Sequence, residues 1–191
     1  MKQYADNTAA ALKRVNSKFP GLRLHNRLAL IVPNNAFREN FEPLLQRALR
    51  AAFDDEKYKN DDKYELIDAE SASACVLGAA GQEMLVLDTV DQFDGLERLI
   101  VIAIGLDAPI VEGSDITLET RSRLYRALTR AHMMALVVNE KLRRGWLEFL
   151  GHVKFDGLED GAYDADAQES KNPDPKAYLL TPNFFYLSPT P

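Results

Sequence analysis

Short runs of apolar residues, each bounded by polar or turn-forming residues, predict buried β-strands along the chain. The four clearest runs are Leu28–Val32, Met84–Asp88, Leu99–Ile104 and Met133–Val138. Uninterrupted apolar runs of this length are typical of parallel strands that are covered on both faces. A shorter run, Tyr64–Ile67, is a further strand candidate.

Between the strands, apolar residues recur three and four positions apart, which predicts amphipathic helices. The predicted helices are Asp6–Phe19, a helix capped by Asn34 or Asn35 that ends near Phe53, a helix from Thr120 to Arg130, and Glu140–Leu150. Ser71–Gln82 has no clear period. Strands that alternate with helices imply a mostly parallel sheet joined by right-handed crossovers. Residues 1–150 are therefore predicted to form one α/β domain.

The chain changes character after Gly151. Asp156–Pro175 is acidic and rich in small residues, so we interpret it as a linker. Tyr178–Leu187 carries several aromatic residues that are costly to leave exposed to water. Residues 151–191 are therefore predicted to be an acidic linker and an aromatic tail that packs on the domain or on a partner.

Composition is that of a soluble globular protein, with 191 residues, of which 46% are hydrophobic and 27% charged. One cysteine, Cys75, excludes an internal disulfide, and the scattered histidines predict no metal site. No apolar stretch is long enough for a transmembrane helix or a secretory signal, so we expect an intracellular protein, cytoplasmic or nuclear. The net charge of −6 is unevenly distributed, and Arg121–Arg144 is locally basic.

The segment Thr120–Asn139 combines a helical apolar stripe with closely spaced arginines. Arg126 and Arg130 lie four positions apart on one side of the predicted helix, and Arg130 stands at its end, just before a strand. A guanidinium held at such a junction has a planar fork that matches phosphate oxygens. The alternative is an ordinary solvated helix face.

A second segment, Val86–Leu106, predicts a strand, a loop and another strand. The loop contains Gln92, Gly95 and Glu97. Gly95 favours a turn or a close backbone approach, because glycine adopts conformations that other residues resist. Taken singly, Gly95 also fits an ordinary turn, and Glu97 fits a solvated loop carboxylate.

Together and in this order, the two segments resemble superfamily 1 helicases. TVDQFDGLE followed by LIVIAI resembles helicase motif V, and LYRALTRA resembles motif VI. LALIVPNNAFRENFEPLLQRAL resembles the strand and helix that open the second RecA-like motor domain of UvrD/Rep-type enzymes. The resemblance extends over about Arg27–Val138 and implies a three-layer, RecA-like fold of the P-loop NTPase class.

The resemblance implies roles for matching positions. Arg130 would be the arginine finger that reaches the γ-phosphate of ATP bound to a first motor domain. Glu97 would meet the nucleotide ribose, and Gly95 would shape the loop. Tyr125 would join Gly95, Glu97 and Arg130 in binding the nucleotide and would support the interface together with Thr129. The residues implied to contact single-stranded DNA or RNA are Thr89 and Gln92.

Half of such a motor is missing from the chain. It contains no G-x-x-x-x-G-K-[ST] loop, so ATP and Mg²⁺ would be held mainly by a first RecA-like domain on the same or a separate chain. The chain alone is therefore expected not to hydrolyse ATP. Asp91 and Asp94 stand where the UvrD branch has a His and a basic residue, and two acids there would repel a nucleic-acid strand. At Asp91 and Phe93 the chain resembles the RNA-helicase branch, which usually has Arg at the position of Leu96.

Two other functions are compatible with the pattern to different degrees. A helicase-derived interaction module without motor activity would account for Asp91, Asp94 and the acidic tail. A complete small enzyme with a flavodoxin-like sheet is disfavoured, because the sequence offers no nucleophile–base pair and no glycine-rich loop after the first strand.

Overall fold

The computed structural model describes residues 1–53, 63–74, 83–107, 115–140, 144–147, 178–181 and 184–187. These residues form four helices and seven strands. The helices are α1 (Lys2–Lys18), α2 (Asn35–Ala52), α3 (Ala69–Ala74) and α4 (Asp115–Leu128). The strands are β1 (Leu28–Val32), β2 (Tyr64–Ile67), β3 (Glu83–Thr89), β4 (Arg98–Ile104), β5 (Ala131–Val138), β6 (Tyr178–Thr181) and β7 (Phe184–Leu187).

The strands form one sheet in the order β2-β3-β1-β4-β5-β7-β6. The first five are all parallel to one another. Strand β1 is in the middle of these five, and each of its five residues is 0% exposed. The predicted α/β class and mostly parallel sheet are thus confirmed, and the five predicted strands lie within one or two residues of their expected bounds.

Alternate residues of strands β1 to β5 enter two separate cores, one on each face of the sheet. Leu28, Leu30 and Val32 of β1 belong to the core formed with α1 and α2. Ala29 and Ile31 belong to the opposite core, with α3, α4 and the loop between β3 and β4. The described part of the chain therefore has three layers, with helices on both faces of the sheet.

Two helix starts show how local chemistry sets the bounds. As predicted, Asn34 caps α2, and its Oδ1 accepts the Phe37 N–H at 2.8 Å. Helix α1, in contrast, begins at Lys2 rather than at Asp6. Ala5 is buried on the same face as Leu12, so the apolar stripe extends a turn further towards the N-terminus than the prediction allowed.

The prediction of a helix over Glu140–Leu150 is wrong for residues 144–147, the later part of this segment that the structure describes. Residues 144–147 form turns and an isolated bridge, and Arg144 has a positive φ of 59°. The N–H groups of Trp146 and Leu147 donate to the Asp107 carboxylate at 2.8 and 3.4 Å instead of to helical carbonyls. A carboxylate distant in sequence has replaced the helical hydrogen bonds here.

The aromatic C-terminal segment joins the sheet through its backbone. Strand β7 is parallel to β5, and β6 is antiparallel to β7. The predicted linker, residues 156–175, lies outside the described residues. Within the described ranges, no helix has the length and apolar character needed to cross a membrane.

Tyr4 on α1 gives the fold a measurable response to alkaline pH. Burial, reinforced by the negative charges of Glu140 and Asp107, raises the pKa of Tyr4 to about 12 from its ordinary value of 10.0. Between these two values the folded protein retains a phenol proton that the unfolded chain has released. The stabilisation is therefore complete below pH 10 and is lost as the pH rises towards 12.

We expect the free energy of unfolding to fall more steeply over this range in the wild type than in Tyr4→Phe. Urea denaturation at a series of pH values measures the difference. All other titrating groups are common to both proteins, so each serves as the control for the other. Parallel pH profiles would contradict the burial of the Tyr4 hydroxyl beside the two carboxylates.

Candidate functional site

The connection between β3 and β4 is residues 90–97, here called the crossover loop. It joins two parallel strands on either side of β1 with eight residues, whereas such crossovers usually need about a dozen or more and contain a helix. Val90 and Phe93 are 3% and 1% exposed, so the loop is anchored in the core on the α3/α4 face. Its polar residues are thereby held on the outside.

Tight turns give the crossover loop its shape. The Phe93 N–H donates to the Thr89 carbonyl, and the Leu96 N–H donates to the Phe93 carbonyl, both at 3.1 Å. Gly95 has a φ of 80°, in the left-handed region that disfavours residues with a Cβ. No atom lies within 4 Å of the place where a Cβ would be built, so the backbone conformation, and not crowding, favours glycine there.

The second part of the site is the end of α4. Leu124 and Ala127 are buried against the sheet, which turns the arginine side of the helix outwards. After Leu128, the Thr129 N–H donates to the Tyr125 carbonyl at 3.0 Å and continues the last turn. The Arg130 carbonyl accepts the Arg98 N–H at 2.9 Å, so Arg130 is fixed at the point where the chain enters β5 beside β4.

Four ionised side chains join these two parts. Arg126 Nη1 lies 3.0 Å from Asp91 Oδ1, and its Nη2 lies 3.1 Å from Asp94 Oδ2. Arg130 Nη2 lies 3.2 Å from Asp94 Oδ1. We call Asp91, Asp94, Arg126 and Arg130 the arginine–aspartate cluster. Each partly exposed pair of this kind contributes about 0.2–1 kcal/mol to stability, so the cluster orients the loop more than it stabilises the fold.

A second group of polar and charged side chains flanks the cluster. His132 Nε2 lies 2.7 Å from Glu97 Oε2, and both side chains are more than half exposed. The Arg98 guanidinium lies 5.5 Å from the centre of the Phe93 ring and donates to the Glu97 carbonyl at 2.8 Å. Burial lowers the pKa of Arg98 from its ordinary value. Glu97 thus lies at the exposed end of the crossover loop, and its carboxylate contacts the His132 ring.

The remaining predicted residues differ in their access to solvent. Tyr125 is 70% exposed on α4, in the turn before Arg130. Gln92 is exposed on the crossover loop. Thr89 is 5% exposed, and its hydroxyl accepts the Gln92 N–H at 3.3 Å, so it shapes the start of the loop from within. The structure thus brings the crossover loop into contact with the helix end that carries Arg130, whereas the predicted Thr89 is buried.

Sequence reasoning missed two features of this surface. It treated Asp91 and Asp94 as charges that repel phosphate, whereas each is paired with an arginine of α4. It considered Phe93 only as a residue that resembles the RNA-helicase branch, whereas the buried Phe93 side chain holds the loop against the core. A signal for the pairing was present, since two acids three positions apart match two arginines four positions apart.

Comparison with other proteins adds no identification: no protein-family model matches the chain, and a search of curated proteins finds no match. Among the described residues, no group of three or more His, Cys, Asp or Glu side chains is placed to hold a metal ion. The chemical character of the site therefore follows from its two arginines and the carboxylates that contact them.

Proposed function

We propose that this chain is the second RecA-like motor domain of a superfamily 1 helicase, which acts on a nucleotide bound to a first motor domain. The observation that carries the proposal is the contact between the crossover loop and the end of α4. The segments that resemble motifs V and VI are separated by 35 residues at the pair Asp91–Arg126, yet they meet side chain to side chain. That meeting is what a shared nucleotide site requires.

Arg130 is the residue with the most direct chemical role in this proposal. Its backbone is fixed between α4 and β5, while its side chain is 23% exposed and reaches the outer surface of the crossover loop. A preorganised guanidinium stabilises the negative charge that develops on a transferring phosphoryl group. The exposed Tyr125 and Glu97 lie on the same helix end and loop, where they would meet the partner domain and the ribose.

The chain supplies cations that suit phosphate oxygens, and the first motor domain would supply the remaining parts of the site. ATP and Mg²⁺ would be held mainly there, on a phosphate-binding loop that this sequence does not contain. The role of this chain is then to close on the bound nucleotide. Alternating closure on single-stranded nucleic acid, with Gln92 facing the strand, would produce movement.

A second candidate function is a helicase-derived interaction module that has lost motor activity. The pairing of both arginines with Asp91 and Asp94 favours it, because a carboxylate on each guanidinium reduces its attraction for a phosphate. Such a module would keep the fold and use the charged surface to contact a protein.

Mixing experiments distinguish these two functions. ATPase activity is measured for the chain alone, for a superfamily 1 first motor domain alone, and for the two together with single-stranded DNA or RNA. We expect activity only in the mixture, together with weak strand binding that falls as salt rises, because phosphate contacts release counterions. No stimulation and no strand binding by either polymer would reject the motor and favour the interaction module.

A further inference from the structure

Asp94 makes a contact that differs from an ordinary surface ion pair. Its two carboxylate oxygens are divided between two arginines, with Oδ2 at 3.1 Å from Arg126 Nη2 and Oδ1 at 3.2 Å from Arg130 Nη2. The carboxylate thus lies between two guanidinium groups on successive turns of the same helix end. Guanidinium N–H groups donate to phosphate oxygens as they do to carboxylate oxygens. The position that Asp94 fills is therefore one that a phosphate group would suit.

We infer that Arg126 and Arg130 together form a polyphosphate-binding site, in which Asp94 is an internal anion that the ligand displaces. The inference rests on the proposed function for the identity of the ligand as a nucleoside di- or triphosphate. It goes beyond that function in two respects. Arg126, to which the helicase resemblance gives no role, becomes a second binding residue, and Asp94 becomes the residue that sets affinity.

The charges of the cluster determine which anions can displace Asp94. Two arginines and two aspartates leave the cluster without net charge, so a single weakly charged anion gains little on approaching it. Asp94 is also tethered beside the arginines, which gives it a high effective concentration that a free ligand must overcome. A polyphosphate has several charged groups and can contact both guanidiniums at once, so the site selects polyphosphate over inorganic phosphate.

The loop allows Asp94 to leave without unfolding. Phe93, the residue before Asp94, is buried in the core. Gly95, the residue after Asp94, has a positive φ, and no neighbouring group lies within 4 Å of the place where a Cβ would be built. Asp94 is itself 56% exposed in its side chain. Its carboxylate can therefore swing towards solvent while the anchor stays in place.

Isothermal titration calorimetry of the full chain with sodium tripolyphosphate, at constant ionic strength, tests this inference. Asp94→Asn is expected to bind the probe about threefold to tenfold more tightly than the wild type, because two exposed ion pairs no longer compete. Glu119→Gln is the matched control: it makes the same change in net charge, but Glu119 pairs with Arg123, away from the loop. It should leave the affinity close to that of the wild type.

Two further variants test the role of Arg126. Arg126→Gln and Arg130→Gln are each expected to weaken tripolyphosphate binding at least threefold, whereas Arg123→Gln, which removes a charge from the same helix, has little effect. Inorganic phosphate should bind more weakly than tripolyphosphate to every variant. Thermal unfolding followed by circular dichroism confirms that each variant is folded.

The inference would be overturned by Asp94→Asn binding no more tightly than Glu119→Gln, or by Arg126→Gln binding as well as Arg123→Gln. The absence of binding by Asp94→Asn would have the same consequence. The titration contains no first motor domain, so its outcome is separate from that of the ATPase mixture. If the chain binds tripolyphosphate as expected but stimulates no ATPase activity, the proposed motor function is rejected and the proposed polyphosphate site is retained.

Discussion

Arg130→Ala is expected to reduce the ATPase activity of the mixture with a first motor domain by about 10³-fold or more. An arginine finger stabilises charge that develops only in the transition state, and its removal has effects of this size on turnover. The loss should appear in kcat, since the nucleotide is held mainly by the other domain. Steady-state ATPase assays over a range of ATP concentrations separate kcat from KM.

Controls for this prediction come from the same helix. Arg130→Lys keeps the positive charge but lacks the planar fork, so it is expected to recover only a small part of the activity. Arg123→Ala removes an arginine that pairs with Glu119 and should leave the activity unchanged. The Arg130 ion pair is partly exposed, so its loss changes the free energy of unfolding by at most about 1 kcal/mol. A near-normal kcat in a folded Arg130→Ala protein would refute the role of Arg130 as an arginine finger.

Phe93→Ala is expected to lower the free energy of unfolding by about 3–5 kcal/mol, the usual cost of deleting a large buried aromatic side chain. Phe93 is 1% exposed, and the Arg98 guanidinium lies 5.5 Å from the centre of its ring. Truncation leaves a cavity under the crossover loop and a cation without its aromatic neighbour. Urea denaturation measures the loss.

The matched variant is Phe93→Leu, which fills most of the volume and is expected to cost less than about 1.5 kcal/mol. Phe93 is next to Asp94 and holds this part of the crossover loop in place. Phe93→Ala should therefore also lower the ATPase activity of the mixture under conditions where the protein remains folded. A stability loss below about 1 kcal/mol for Phe93→Ala would show that the loop is not anchored in the core.

Strands β1 to β5 could be predicted from sequence because each contains a mostly apolar run. Leu28–Val32 coincides with β1, and Tyr64–Ile67 coincides with β2. Their order across the sheet, with β1 between β3 and β4, is a tertiary property that no local pattern contains. The sequence likewise gave no sign that Asp107 would take the backbone N–H groups of residues 146–147, so the helix predicted there was wrong.

For the candidate site, the helicase resemblance predicted residues but not the side chains that contact them. Arg130, Glu97 and Gly95 were predicted from the helicase resemblance, and the positive φ of Gly95 agrees with the predicted turn. The contacts of Asp91 and Asp94 with α4 arise because Phe93 and the turns around it hold the loop against that helix. Such contacts depend on the packing of a buried side chain, and the loop sequence taken alone suggested repulsion instead.

The central position of β1 has a consequence for how the chain reaches its folded state. Strand β1 is made well before both of its neighbours, because Ala29 pairs with Val86 and Leu28 pairs with Ile100. Until β4 emerges from the ribosome, a fully apolar segment retains at least one unpaired edge. Contacts this distant in sequence slow folding and prolong the exposure of aggregation-prone strands. Leu28–Val32 is therefore a segment through which incomplete chains are expected to associate.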